Sequence, residues 1–258
     1  MKEKGKYNSK KSNKKETPET RESTKIRLNK FLANAGICSR RDADKFIEAG
    51  VVTVNGIGIV EMGYKVSASD VIKFNNQKVN CDSLRYVLLN KPKNYSGRSN
   101  YSKKTPSVLT LIKSACKERI FPIDNLNKTE TGLLLFTNDH ELAKKLTNKK
   151  QKIKSICQIT LNQKLTQSDL EKIREGIFIN NKRKKVDSIS YIQKKEKNEV
   201  GVESHQAGLK HIKEIFETLN YRVTKIDRVF FGGLTKKNLP RKNYRHLNQK
   251  EINILRRL

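Results

Sequence analysis

The sequence predicts an α+β chain built as a small folded block followed by a large one, and three observations carry that expectation. Short apolar strands and amphipathic helices are interspersed without a regular βαβ repeat, which disfavours a doubly wound sheet. A tightly punctuated block runs from Ile26 to Phe74, with helix stops and a hairpin turn of its own. A polar stretch near Asn75 to Ser83 then separates it from a longer block that opens on Tyr86-Val-Leu-Leu89. The expected division is a tail over residues 1–24, a small domain over 25–82 and a large domain over 83–258. At 258 residues the chain has enough length for a real core.

Composition narrows the partner. Lys and Arg number 56 against 26 Asp and Glu, a formal charge of +30. A surplus that large points to a polyanion, and nucleic acid is the usual one. No apolar run approaches the roughly 18–20 residues of a membrane span, and the N-terminus lacks a signal-peptide core. Cys38, Cys81, Cys116 and Cys157 show neither a CxxC pair nor a histidine at ligand spacing. They read as reduced intracellular thiols in a cytoplasmic protein that needs no metal.

Residues 1–24 contain almost nothing apolar, so ordering them would bury too little surface to offset the entropy, and disorder is expected. Their lysines (Lys2, Lys4, Lys6, Lys10, Lys11, Lys14 and Lys15) suit an RNA tether or a solubilising tail equally well. Leu28, Phe31, Leu32 and Ala35 then recur at helical spacing up to Gly36. Ser39 with Asp42 reads as the cap of a second helix, whose buried stripe is Ala43, Phe46 and Ile47 and whose stop is Gly50. Val51 to Val54 alternates as a strand, Asn55-Gly56 is a hairpin turn, and Ile57 to Val60 begins the return. Val71 to Phe74 supplies another strand.

The string RLNKFLANAGICSRRDADKFIEAGVVTVNG resembles the S4-type RNA-binding domain, a module found at the N-terminus of many rRNA-modifying enzymes. The resemblance implies that Arg27, Lys30, Arg40, Arg41 and Lys45 line the face presented to RNA phosphates, a role that positions a protein without reading sequence.

In the large block Tyr86 to Leu89 and Gly132 to Phe136 read as buried strands, and Val108, Leu109 and Ile112 suggest a helix. Asp139 reads as the N-terminal cap of a helix running to Leu146. Ile156 to Leu161, Val186 to Ile192, Val200 to Glu203 and Val223 to Phe231 are the remaining strands. Thr166 with Asp169 caps a helix that stops at Gly176, Gly208 to Leu219 is helical, and Asn248 with Glu251 caps the last helix.

The segment Ile120-Phe-Pro-Ile-Asp-Asn-Leu-Asn-Lys-Thr-Glu-Thr-Gly-Leu-Leu-Leu-Phe-Thr-Asn-Asp139 resembles the active-site stretch of the rRNA pseudouridine synthases that modify single uridines. The resemblance extends over residues 26–258 and implies a mainly antiparallel sheet flanked by helices, with RNA across a basic cleft and no cofactor. It makes Lys91, Lys210 and Lys213 further RNA contacts. The expected partners are rRNA or pre-ribosomal particles, and the expected state is a monomer.

The framework positions fit this pattern while the chemical ones do not. The family's catalytic Asp falls on Asn127 and its Arg two places earlier on Asn125. The active-site Tyr falls on Cys157, and its companion Lys on Ser155. Within the late basic helix Leu209 stands for Asn and Glu214 for the second Arg. Detaching uracil from C1′ and rejoining it through C5 needs a negative oxygen at the sugar, as nucleophile or base, and an amide can be neither. The reading is therefore an RNA-binding protein on an enzyme's scaffold. The alternative is a working synthase using Asp124 or another acid; against it, no Arg precedes Asp124 at the matching offset, and a loop or capping role suits that carboxylate.

Overall fold

The computed structural model describes residues 25–67, 69–80, 83–97, 105–148, 151–205 and 209–258. The expectation of a disordered basic tail over residues 1–24 lies outside them, as do Cys81, Ala207 and Gly208. The chain divides near Asn80 into a smaller N-terminal and a larger C-terminal unit.

The smaller unit holds β1 (Ile26–Arg27), α1 (Leu28–Asn34), α2 (Arg40–Glu48), β2 (Val52–Val54), β3 (Ile57–Gly58), β4 (Lys65–Val66), β5 (Ile72–Phe74) and β6 (Gln77–Lys78). Its start signals act as read: the Ser39 hydroxyl accepts a hydrogen bond from the Asp42 amide at 3.2 Å. The helix face gives Ala43 and Ile47 to the interior, beside Leu28, Leu32 and Val52. The sheet order is β3-β2-β5-β6, all antiparallel. Asn55-Gly56 turns with φ of 52° and 87°, and Asn75-Asn76 with 48° and 63°. Both residues of each pair are left-handed, as the tight hairpin turn requires. The second turn corrects the expected link: Asn75 to Lys78 belongs to the small domain's sheet.

The larger unit runs through β7 (Tyr86–Lys91), a single 3₁₀ turn at Val108–Leu111, β8 (Phe121–Pro122), β9 (Glu130–Thr137), α3 (His140–Thr147) and β10 (Ser155–Leu161). It continues through α4 (Gln167–Glu175), β11 (Ile177–Ile179), β12 (Lys182–Lys184), β13 (Ser188–Tyr191) and β14 (Glu199–Ser204). It closes with α5 (Lys210–Thr218), β15 (Val223–Phe231), β16 (Leu234–Thr235), β17 (Tyr244–His246) and α6 (Gln249–Arg257). The main sheet has the order β13-β14-β10-β15-β9-β7-β17, with β8 on β9 and β16 on β15. Its pairs are antiparallel except β15 with β9, which run parallel and place Arg228 beside Gly132.

β7 and β9 are buried along their whole lengths because both sheet faces are covered, which is why they read as unbroken apolar runs rather than alternating ones. Val87, Leu89, Leu134 and Phe136 enter one core with α4 and α5 residues such as Ile173 and Phe216. Leu88, Leu133 and Leu135 enter the opposite core with Leu142 and Leu146 of α3 and Leu255 of α6. The helix suggested by Val108, Leu109 and Ile112 is the 3₁₀ turn, capped by the Ser107 hydroxyl, which accepts from the Leu109 amide. The hairpin β11–β12 and the short strands β8, β16 and β17 are not among the expected elements.

Candidate active site and RNA-binding face

Gly132 sets the geometry of the site. A Cβ on it would lie 2.2 Å from the Arg228 carbonyl oxygen and 2.5 Å from the Arg228 nitrogen, so only glycine lets β9 and β15 approach there. Arg228 is thereby drawn fully inside, at 2 % exposure. Its Nε donates to the Leu133 carbonyl at 2.8 Å and its Nη1 to Asp124 Oδ2 at 2.5 Å. Its guanidinium covers the Phe231 ring, 4.6 Å from the centroid. Nη2 is buried without a protein acceptor. Asp124 and Arg228 share a cavity of about 170 Å³ with Ser155, His205, Leu209 and Phe231.

Asn127 sits elsewhere in the segment, exposed on a turn that bonds the Glu130 amide to its carbonyl at 3.1 Å. Its own amide groups serve a buried carboxylate: Asn127 N donates to Glu130 Oε2 at 2.7 Å and Nδ2 to Oε1 at 3.1 Å. Glu130 is 2 % exposed and takes a third donor from Lys213 Nζ at 2.6 Å. The side-chain oxygen of Asn125 is buried with no donor.

Lys91 requires a correction. It is wholly buried, and its ammonium donates to the carbonyls of Pro92, Asn127 and Glu130 at 3.2, 2.9 and 2.6 Å. Burial lowers its pKa to about 8, opposed by the Glu130 charge. Lys91 ties the loop to β7 and has no surface to offer RNA. Lys213 is likewise committed to Glu130, whereas Lys210 is 90 % exposed and only loosely beside Glu214 at 3.6 Å. Asn94, where the pattern has glycine, does take positive φ at 69°, so the turn survives.

Cys157 is 1 % exposed within β10 and faces the interior, where burial pushes its thiol up to about 11. A protonated, enclosed thiol is a poor nucleophile and offers a nucleobase no ring face. Folded protein at pH 8 is expected to leave Cys157 unalkylated by iodoacetamide and to release it in urea, as peptide mapping by mass spectrometry would show.

In the smaller unit Arg27, Arg40, Arg41 and Lys45 are exposed and Lys30 is half-buried. Arg41 and Lys45 lie one turn apart on α2, and Arg40 and Arg41 occupy its first turn. Cations at the positive end of a helix oppose its dipole by about 0.3–1 kcal/mol each. Helix stability therefore does not account for them.

Residues 26–72 match the S4 domain model, and residues 85–257 match the RNA pseudouridylate synthase model. The chain belongs to the RNA pseudouridylate synthase family. Among its relatives, an RNA pseudouridine synthase of Aquifex aeolicus (strain VF5) is 33 % identical over 88 % of this chain and 92 % of its own. Ribosomal large subunit pseudouridine synthase B of Bacillus subtilis (strain 168) is 32 % identical over 90 % of this chain and 96 % of its own. A crystal structure of a pseudouridylate synthase superposes with a TM-score of 0.61 at 22 % identity, over 89 % of this chain and 99 % of that one, and so shares the fold. This family member carries the architecture of an RNA-binding protein: an S4 domain ahead of a synthase domain. Among the described residues no helix is long and apolar enough to cross a membrane, and no three His, Cys, Asp or Glu cluster as a metal site.

Two residues of this site were not legible as such. Arg228 lies 104 positions from the carboxylate it pairs with, and no local spacing links them. Glu130 opens β9, and a lone acid heading an otherwise uncharged run was the available signal.

Proposed function

We propose that this chain binds ribosomal RNA or cytoplasmic pre-ribosomal particles and acts by occupancy, without isomerising uridine. The observation that carries this reading is position 127. The chemistry needs an anionic oxygen there, and the chain has a neutral amide whose donors are spent on Glu130. The position of the aromatic partner is the enclosed Cys157. Phosphate contact requires neither group, and the exposed cations of α2 remain. The ribosomal target is supported by a relative named for the large ribosomal subunit.

One observation favours the second reading, a working synthase with Asp124 as the acid. Asp124 faces the cavity and has the arginine partner that its sequence neighbourhood lacks. Two features weigh against it. Both Asp124 oxygens are already engaged, Oδ2 by Arg228 and Oδ1 by the Asn125 amide at 2.6 Å. The carboxylate also has a structural task, since Arg228 needs a counter-charge in the interior.

The deciding measurement is tritium release from C5-labelled uridine in homologous rRNA and pre-ribosomal particles, with protein in excess so that one turnover registers. We expect no release together with salt-sensitive binding. Release that disappears in a folded Asp124→Asn variant would overturn this reading and install Asp124 as the catalyst.

A further inference from the structure

The β11–β12 ribbon meets the large domain by one face only. Ile177 and Ile179 pack against the core, and Lys184, the cross-strand partner of Ile177, reaches Glu214 of α5. Strand alternation sends Phe178 and its partner Arg183 to the other face. There Phe178 is 71 % exposed, the one aromatic ring among the large apolar side chains left open in the described residues. The ribbon is stiff at its tip: Asn180 and Asn181 have φ of 50° and 58°, the two-residue turn that matches strand twist. Arg183 is braced by a hydrogen bond from Nη2 to the Glu175 carbonyl.

The ring's surroundings are cationic. Lys182, Arg183, Lys184 and Lys185 follow in sequence; Arg183, on the ring's own face, and Lys185 are exposed. One phenyl ring among lysines is too little apolar area for a stable protein interface, which buries about 1,200 Å² or more. It does suit a nucleobase, whose π face stacks on an aromatic ring while neighbouring cations take its phosphates.

We infer that the outward face of this hairpin is an RNA contact in its own right, in which Phe178 stacks on an unpaired base while its cross-strand neighbour Arg183 and the exposed Lys185 neutralise the flanking phosphates. The inference rests on the RNA-binding reading above and adds to it a surface in the synthase domain and a substrate class, unpaired RNA.

The test uses the full chain with a fluorescein-labelled 12-nucleotide oligouridylate and a blunt RNA duplex of equal length. Phe178→Ala and Phe178→Leu are expected to weaken oligouridylate binding by about tenfold, the usual scale of one lost base–aromatic stack. Phe178→Trp should bind like wild type, and duplex binding should not change. The salt slope should be unaffected by Phe178→Ala and reduced in K185Q. Melting temperatures should stay nearly equal, since the ring is 71 % exposed in the fold. Wild-type affinity in Phe178→Ala would overturn the proposal. So would wild-type affinity in Phe178→Leu, which would mark a merely apolar contact, or loss of self-association on mutation, which would mark an interface between copies. If the wild type bound neither RNA, the RNA-binding reading itself would fall, a result distinct from binding that ignores Phe178.

Discussion

Replacing Asp124 by Ala is expected to cost the large domain about 3–5 kcal/mol of unfolding free energy, the range for removing one partner of a buried ion pair. Arg228 is 2 % exposed and, among the described residues, pairs with the carboxylate of Asp124. Its remaining donors go to a carbonyl or to nothing, so the variant would leave a buried full charge without a counter-ion, against the face of Phe231. The loss should appear as a fall in the urea midpoint of the larger domain's transition. A double variant, D124L with R228M, should recover most of it, because well-packed apolar replacements of a buried pair are near neutral. A single-variant cost below about 1 kcal/mol, the scale of an exposed pair, would show that Arg228 does not depend on Asp124. This result would be independent of catalysis and would give the acid a structural reason to persist.

Several caps and one hairpin turn were legible locally. Ser39, Gly50 and Asn55-Gly56 specify their caps and turn through their own backbone conformations, so no tertiary knowledge was needed to place them. The central strands β7 and β9 were visible because burial on both faces leaves no polar residue to interrupt the run. The β11–β12 hairpin was hidden for the opposite reason. Its apolar face is two isoleucines wide, the surrounding residues are charged, and Asn-Asn is a weaker turn signal than Asn-Gly. Lys91 misled because the resemblance offered it as an RNA contact, whereas the parallel pairing of β9 with β15 and the burial of β7 carry it into the core. Arg228 depends on that same parallel alignment, which brings together strands about a hundred positions apart and leaves no periodic trace.

The Asn127–Glu130 pair makes a sharper forecast than the absence of an acid alone. Restoring Asp at 127 is expected to destabilise the chain and to produce no tritium release. The new carboxylate would stand where an amide nitrogen now lies 3.1 Å from Glu130 Oε1, so a charge-assisted hydrogen bond becomes a contact between two anions. A hydrogen bond to a charged group is worth about 1.5–3 kcal/mol, and the repulsion adds to that loss. Lys213 already serves Glu130 and can offset only part of it. Two carboxylates in contact cannot both ionise easily, so one of them takes a folded-state pKa above its unfolded value. In that pH interval the native variant binds more protons than the unfolded chain, so its stability falls as pH rises and returns as pH drops towards the unfolded value near 4. Wild type has no such pair, and the difference between the two unfolding curves should therefore widen from about pH 4 upward. Changing Glu130 to Thr in the same variant removes the second anion and should abolish the pH-dependent part while leaving Lys213 without its partner. If N127D were as stable as wild type at pH 7, Glu130 would not be holding the amide. If the N127D/E130T protein released tritium, the scaffold would have lost its chemistry through these two positions alone.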